Sequence, residues 1–305
     1  MRKSSKSALL SLYCHINLKD LQKNVCCFSS GEVKLYFRSP ARKNLLEKLI
    51  IIPTYNEREN ITNILSAIFS MDKGYHILVV DDNSPDGTAS IVKDLMAEYK
   101  DSLFLEERKG KLGLGTAYIH GFQWALANNY EYIFEMDADF SHDPADLEKL
   151  YESCCYGGAD IAIGSRYVPG GKIENWPLDR HIYSRGGSIY TRLITWMPVN
   201  DPTAGFMCYR KKVLETINLN AIHFTGYAFQ IEMKFAAWKL GFILKEVPII
   251  FKDRKEGISK MSKGILKEGV LGVLKIQWKS IFSNYQERMR AKEPDNKKIA
   301  GKMLS

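Results

Sequence analysis

Two rhythms of apolar and polar positions alternate between residues 49 and 163. Residues 49–52, 76–80, 103–105, 132–136 and 159–163 are short apolar runs of strand length, the first stopped by Pro53. Between them the apolar spacing turns helical. Ile61, Ile64, Leu65 and Ile68 recur at i, i+3, i+4 and i+7, and Ile91, Leu95 and Tyr99 share one face of a helix that Thr88 can cap. A third helix runs through Asn128, and a fourth starts at Pro144, where the first turn tolerates proline. Strands alternating with helices predict an α/β fold with a mostly parallel central sheet. Each strand ends in polar residues, and ligands of such sheets bind beyond the carboxyl ends of the strands. Residues 53–57, 81–87 and 137–141 all lie there.

The second half is less regular. Residues 164–167 close the fifth strand and bring Arg166 to the same edge. A basic, polar stretch with Arg180, Ser184, Arg185 and Arg192 follows, broken by Gly186 and Gly187. Residues 206–209 read as a strand, and 228–240 as a helix with Ile231, Phe235 and Trp238 on one face. Residues 243–251 form a strand that Pro248 confines to an edge or bends. A charged loop, 252–263, holds Arg254 and Lys260. Residues 264–282 predict an amphipathic helix: Ile265, Leu266, Leu271, Val273, Leu274, Trp278, Ile281 and Phe282 are apolar, and Lys263, Lys267, Lys275 and Lys279 are cationic. Such a helix can lie in the headgroup plane of a membrane or pack as an ordinary helix.

Charge sharpens this division. Residues 1–47 carry nine Lys/Arg against three Asp/Glu, and 255–305 carry twelve against five, whereas 48–254 carry twenty-two against twenty-seven. Basic ends around an acidic body suit an anionic partner surface or act as solubilising tails. No aromatic stripe is interleaved with the basic residues, which argues against nucleic acid. The expected organisation is a poorly ordered basic extension (1–47), a globular domain (48–262), the amphipathic helix (263–283) and a polar basic tail (284–305). No apolar run reaches the roughly 18 residues of a membrane span, and the short patch after Lys6 is a poor signal peptide. The six cysteines show no C-x-x-C spacing, which fits a reducing cytosol rather than a zinc site or a disulfide framework.

The candidate chemistry centres on Asp137 and Asp139, at the end of the run 132–136. Side chains alternate along an extended segment, so the two carboxylates point the same way and repel unless a cation lies between them. Mg2+ or Mn2+, which prefer hard oxygen ligands, answer that need. An acidic turn capping the next helix would also give D-x-D, but three polar loops converging on one sheet edge favour a metal and nucleotide site. The glycine loop 110–115 follows the third strand rather than the first, and no G-K-[ST] is present, which disfavours an NAD enzyme or an ATPase. Its basic neighbours Arg108, Lys109 and Lys111 can instead lie beside phosphate.

The ordered set PTYNE (53–57), VVDDNSPDGT (79–88), RKGKLGLGTAY (108–118), EMDADFSH (135–142), IGSRY (163–167), DPTAGF (201–206) and TGYAFQIEM (225–233) closely resembles the dolichol- or polyprenol-phosphate mannosyltransferases of glycosyltransferase family 2. The resemblance implies a GT-A-like domain that transfers mannose from GDP-mannose to a polyprenyl (dolichyl) phosphate, with inversion and a divalent metal, at the cytosolic membrane face. It places Pro53, Tyr55, Glu57, Val79 and Asp81 around the guanosine, and Asp137, Ala138 and Asp139 at the diphosphate and metal. Arg166, Arg254 and Lys260 fall around phosphate and sugar; Arg166, Arg180 and Ser184 would hold the acceptor phosphate, and Asp139 and Arg166 are the implied catalytic pair. A family 2 enzyme using a UDP-sugar, such as a polyprenyl-phosphate glucosyltransferase, is the alternative. The chain departs from some relatives in having Ser141 where they have a glutamine metal ligand. It also has no C-terminal membrane spans, so it would reach its lipid through a partner subunit or the helix 264–282. The acceptor phosphate is already anionic near neutral pH. It therefore needs positive charge around it rather than a general base.

Overall fold

The computed structural model describes residues 47–226, 228–253 and 263–291. Strand β1 (Lys48–Thr54) leads to helix α1 (Arg58–Phe69), β2 (Tyr75–Asp81) to α2 (Thr88–Leu95), β3 (Leu103–Glu107) to α3 (Leu114–Ala127), and β4 (Tyr132–Glu135) to α4 (Asp146–Cys155). Strands β5 (Ile161–Ser165) and β6 (Lys172–Glu174) precede α5 (Leu178–Thr195). Then come β7 (Met207–Arg210), α6 (Lys211–Thr216), α7 (Ala228–Lys239), β8 (Leu244–Pro248), β9 (Ile250–Lys252), α8 (Lys263–Phe282) and α9 (Tyr285–Met289). Seven strands form one sheet in the order β3-β2-β1-β4-β7-β5-β8, and β6 and β9 pair separately. Only β7 runs antiparallel to its neighbours in the large sheet, so the expected mostly parallel α/β sheet is what the chain forms.

The continuous isoleucines of β1 are explained by burial on both faces, as parallel sheets require. Ile50 and Ile52 face Ile61, Leu65 and Leu147 of α1 and α4, while Leu49 and Ile51 face Tyr118, Phe122 and Phe229 of α3 and α7. The predicted buried positions of α1 are the ones it buries. Pro53 does not stop β1. The pairing with β4 ends at Ile51, so Pro53 faces only β2, across from Val80, where its missing N–H breaks no shared ladder. Thr88 is the first residue of α2 rather than its cap; Gly87 precedes it with φ 88.

Two expectations for the second half change, and a third is refined. Gly186 and Gly187 do not break the basic stretch; it is the uninterrupted 18-residue helix α5. Each interior glycine costs about 1 kcal/mol relative to alanine, which neighbouring packing absorbs, and Ser188, Thr191 and Thr195 provide the buried face. Helix α7 has no single apolar face, because every residue from Ala228 to Ala237 is buried, Lys234 included. The run 243–251 splits at Pro248: β8 is the edge of the large sheet, and β9 joins β6. Helix α8 buries Val273 and Ile276. The apolar side chains of Leu271, Leu274, Trp278, Ile281 and Phe282 face outward, as do Ile182, Ile189 and Leu193 of α5. The Tyr190 hydroxyl donates to the Val270 carbonyl at 3.1 Å, tying the two helices together. Ile265 and Leu266 lie outside the described side chains, and residues 1–46 and 292–305 outside the described residues.

Candidate active site

A cavity of about 230 Å3 opens beyond the carboxyl ends of β4 and β5; Pro53, Tyr55, Glu57, Val79 and Asp81, at the ends of the neighbouring β1 and β2, do not line it. Its polar end is lined by Asp137, Asp139, Ser141 and Arg166; its other end runs past Arg180, Ser184 and Tyr190 to Val270 of α8. Strand β4 delivers Asp137 by stopping at Glu135, after which the chain turns through Phe140 with φ 58. A bulky residue in that left-handed region costs about 1–2 kcal/mol. The strained turn brings the Ser141 N–H back onto Asp139 Oδ1 at 3.0 Å. Asp139 and Ser141 are buried and Asp137 is partly so. Beneath them the buried Tyr118 phenol is pushed well above its ordinary pKa, first by burial and then by the fields of Asp137, Glu135 and Asp139. It stays a neutral hydroxyl facing the carboxylates.

Asp137, Asp139 and the Ser141 hydroxyl are hard oxygen donors, and this set fits Mg2+ or Mn2+, which take remaining ligands from water and phosphate. Among the described residues no group of three His, Cys, Asp or Glu side chains is placed to hold a metal. His142 stacks on Phe206 at 4.8 Å. Burial drives its pKa down to about 4 against the opposing pull of Asp139, so it lines the cavity as a neutral imidazole.

The donor-side residues of the sequence reading cluster around β1 and β2. Asp81 is fully buried and accepts from Thr54 Oγ1 at 2.8 Å, from Ser84 Oγ at 2.6 Å and from the Ser84 N–H at 2.8 Å. It fixes the 81–84 loop. The Glu57 N–H donates to Thr88 Oγ1 at 3.1 Å, which ties the loop after β1 to the start of α2. Lys111 lies 4.4 Å above the Tyr55 ring, bringing the glycine loop over this side. Pro53 is half-buried and Ala138 buried. Val79 is fully buried and paired on both sides, so it supports the floor and offers no side chain to a ligand. Arg108 is not beside the cavity as a phosphate ligand. It pairs with Asp82 and donates to Thr116 Oγ1 at 2.8 Å, stapling the glycine loop down.

The second group is assembled by long-range pairs. Arg166 is gripped by Asp201, with Nε at 2.7 Å and Nη2 at 2.6 Å, and also donates to Thr203 Oγ1 at 2.9 Å. Burial works to raise the Asp201 carboxyl, but Arg166 outweighs it and holds the group below the usual carboxylate range. Glu246 on β8 accepts from the Asn200 and Asp201 N–H groups at 2.8 and 2.9 Å, fixing that turn. Arg180 lies 4.0 Å over the Trp176 ring and donates to Asp253 at 2.7 Å. Ser184 accepts from the Tyr167 hydroxyl at 2.7 Å, which leaves its own proton to donate. Arg254 and Lys260 lie outside the described residues.

Reading the sequence missed Tyr118, Trp176, Asp201 and Gln230. A tyrosine and an aspartate inside the motifs 108–118 and 201–206 were visible there. Trp176 was not singled out, since its ring packs against Phe251, which lies far along the chain.

A glycosyl transferase family 2 model matches residues 49–217. The chain is 45% identical over 225 residues to the polyprenol monophosphomannose synthase of Mycolicibacterium smegmatis, covering 74% of this chain and 84% of that protein. It is likewise 45% identical over 225 residues to the undecaprenyl-phosphate mannosyltransferase of Micrococcus luteus, covering 74% of this chain and 91% of that protein. Among solved structures, glucosyl-3-phosphoglycerate synthase from Mycobacterium tuberculosis with phosphoglyceric acid superposes with a TM-score of 0.59 at 15% identity, covering 76% of this chain and 80% of that one. That likeness is of fold alone, the GT-A arrangement. With the family model spanning more than half the chain and two relatives at this identity, the chain is a glycosyltransferase and belongs to glycosyl transferase family 2.

Proposed function

We propose that this enzyme transfers mannose from GDP-mannose to a polyprenyl phosphate, with inversion, in the presence of Mg2+ or Mn2+, on the cytosolic face of a membrane. One observation carries the reading: a single cavity joins the acidic end of β4 to Arg180 and Ser184 and then to the junction of α5 and α8. A diphosphate, an acceptor phosphate and an apolar chain can each meet complementary chemistry along it. The two relatives named for polyprenyl-phosphate mannosyl transfer support this choice of substrates.

The divalent cation would supply positive charge to the departing diphosphate. Asp137, Asp139 and Ser141 would hold it. Pro53, Tyr55, Glu57 and Asp81 would surround the nucleoside, with Lys111 closing over Tyr55. Arg166 would face both phosphates, and Arg180 and Ser184 would hold the acceptor phosphate. A phosphate acceptor is ionised already, so these residues orient two anions rather than remove a proton. Among the described residues no helix is long and apolar enough to cross a membrane. The outward apolar side chains of α5 and α8, beside Arg185, Arg192, Lys275 and Lys279, would seat the protein on an anionic lipid surface, directly or with a membrane-embedded partner.

The test is transfer of radiolabelled sugar to a short polyprenyl phosphate, with GDP-mannose and UDP-glucose side by side, with and without metal. Expected is metal-dependent product from GDP-mannose alone, reduced about 1000-fold in Asp139→Ala, a barrier change of about 4 kcal/mol. Product from UDP-glucose instead would overturn the donor assignment. Metal-dependent GDP binding without product would overturn the acceptor.

A further inference from the structure

Behind the cavity lie two fully buried ionisable side chains that the chemistry above does not use, Lys234 and Glu135. Lys234, on α7, is fully buried. Its ammonium donates to the carbonyls of Ala204 at 2.6 Å and Gln230 at 3.2 Å. Gln230, one helical turn earlier and lining the cavity, donates its Nε2 to Glu135 Oε2 at 2.6 Å. Glu135 is the last residue of β4, two before Asp137, and is fully buried. Ala204 sits in the turn that carries Asp201 and Thr203, the two partners of Arg166.

Packing alone does not account for these residues. Burial pushes the pKa of the Glu135 carboxyl up to about 8 and that of the Lys234 ammonium down to about 8; burying such groups is costly, and apolar side chains of similar volume commonly do as well or better. The pair has a geometric consequence instead. One end grips the turn behind Arg166, the other ends at the strand that presents Asp137, and α7 is the rigid element between them. We infer that Lys234 and Glu135, joined through Gln230, are positioning residues for sugar transfer, locking the 201–205 turn to the end of β4 and so fixing Arg166 relative to Asp137 and Asp139. The inference rests on the glycosyl-transfer reading of the cavity.

Lys234→Met keeps the volume and removes the ammonium. With GDP-mannose and a short polyprenyl phosphate, kcat is expected to fall about 30-fold while the KM for GDP-mannose stays within about 3-fold. Amide hydrogen exchange, read on the same protein, is expected to rise about 10-fold in 201–206 and remain unchanged in α1 and β2. Gln230→Leu, which cuts the link but keeps both ionisable side chains, should move both readouts in the same direction and serves if the lysine variant does not fold. Unchanged kcat with unchanged exchange at 201–206 would overturn the inference. So would a rise in exchange throughout the sheet, which marks a general structural role. If the parent enzyme moves no mannose from GDP-mannose, the substrate reading falls, while the exchange pattern still decides whether the lock exists.

Discussion

The two flanks of the candidate site are built on different principles. The donor flank, residues 48–141, hangs from the ends of adjacent strands, and its polar groups are held by close neighbours: Asp81 by Thr54 on the next strand and by Ser84, and Asp139 by the Ser141 amide. The acceptor flank, residues 164–253, is held by partners far apart in the chain. Asp201 grips Arg166, Glu246 grips the 200–201 amides, and Asp253 grips Arg180. A parallel sheet with both faces covered fixes the first flank through backbone pairing and apolar burial. The second flank depends on ion pairs whose members are each costly to bury alone. Removing one member of an acceptor-side ion pair should therefore do more damage than removing a hydroxyl that holds Asp81.

Asp201→Ala tests this most severely. It leaves the Arg166 guanidinium, whose side chain is 9% exposed, without its carboxylate. The expected loss is about 3–5 kcal/mol in denaturant unfolding. Thr54→Val, which removes one of the hydrogen bonds to Asp81, should cost only about 1–2 kcal/mol. Equal costs would dissolve the contrast. The outer surface of the acceptor flank comes next. Trp278 and Phe282 of α8 are each 67% exposed, with rings 4.4 Å apart. Replacing both with serine should weaken binding to anionic phospholipid vesicles at least about 30-fold by co-sedimentation, since each buried aromatic contributes on the order of 1.5–3 kcal/mol. GDP binding in solution should not change.

The helix start after the glycine loop, on the donor flank, is sensitive to space. A Cβ at Gly115 would lie 2.8 Å from the Phe224 carbonyl oxygen and from the Phe229 ring. Gly115→Ala should thus cost about 1–3 kcal/mol in thermal unfolding. The smallest effect is expected at Ser184, where alanine removes one hydroxyl. The KM for polyprenyl phosphate should rise about 5-fold, with that for the sugar nucleotide unchanged. A shift in the nucleotide KM instead would place Ser184 on the wrong flank.

The contrast also governs what could be read from the chain. Strands β1–β4, the buried face of α1 and the D-x-D turn were legible because strand and helix periodicity and the residues ending each strand are local. The rest was not, for identifiable reasons. Gly186 and Gly187 looked like a break because local propensity opposes helix there; α5 nonetheless forms where it packs against α8. Arg108 and Arg166 looked alike as basic residues at loop edges. One staples the glycine loop to Asp82, and the other stands in the cavity beside Asp201. Val79 belongs to a motif, yet its side chain is sealed in the core.

The amino-acid sequence by itself determined the alternation of strands and helices, the edge at which the carboxylates collect and the family to which they belong. Each follows from residues within a few positions of one another, where alternation and helical spacing act. The tertiary structure alone decided which cations face the cavity, how α7 carries Lys234 beneath it, and which faces of α5 and α8 remain outward. Those outcomes turn on hydrogen bonding, charge pairing and desolvation between groups 30 to 100 residues apart, such as the hydrogen bonds of Lys234 to Ala204 and of Gln230 to Glu135, and no local pattern encodes such pairs.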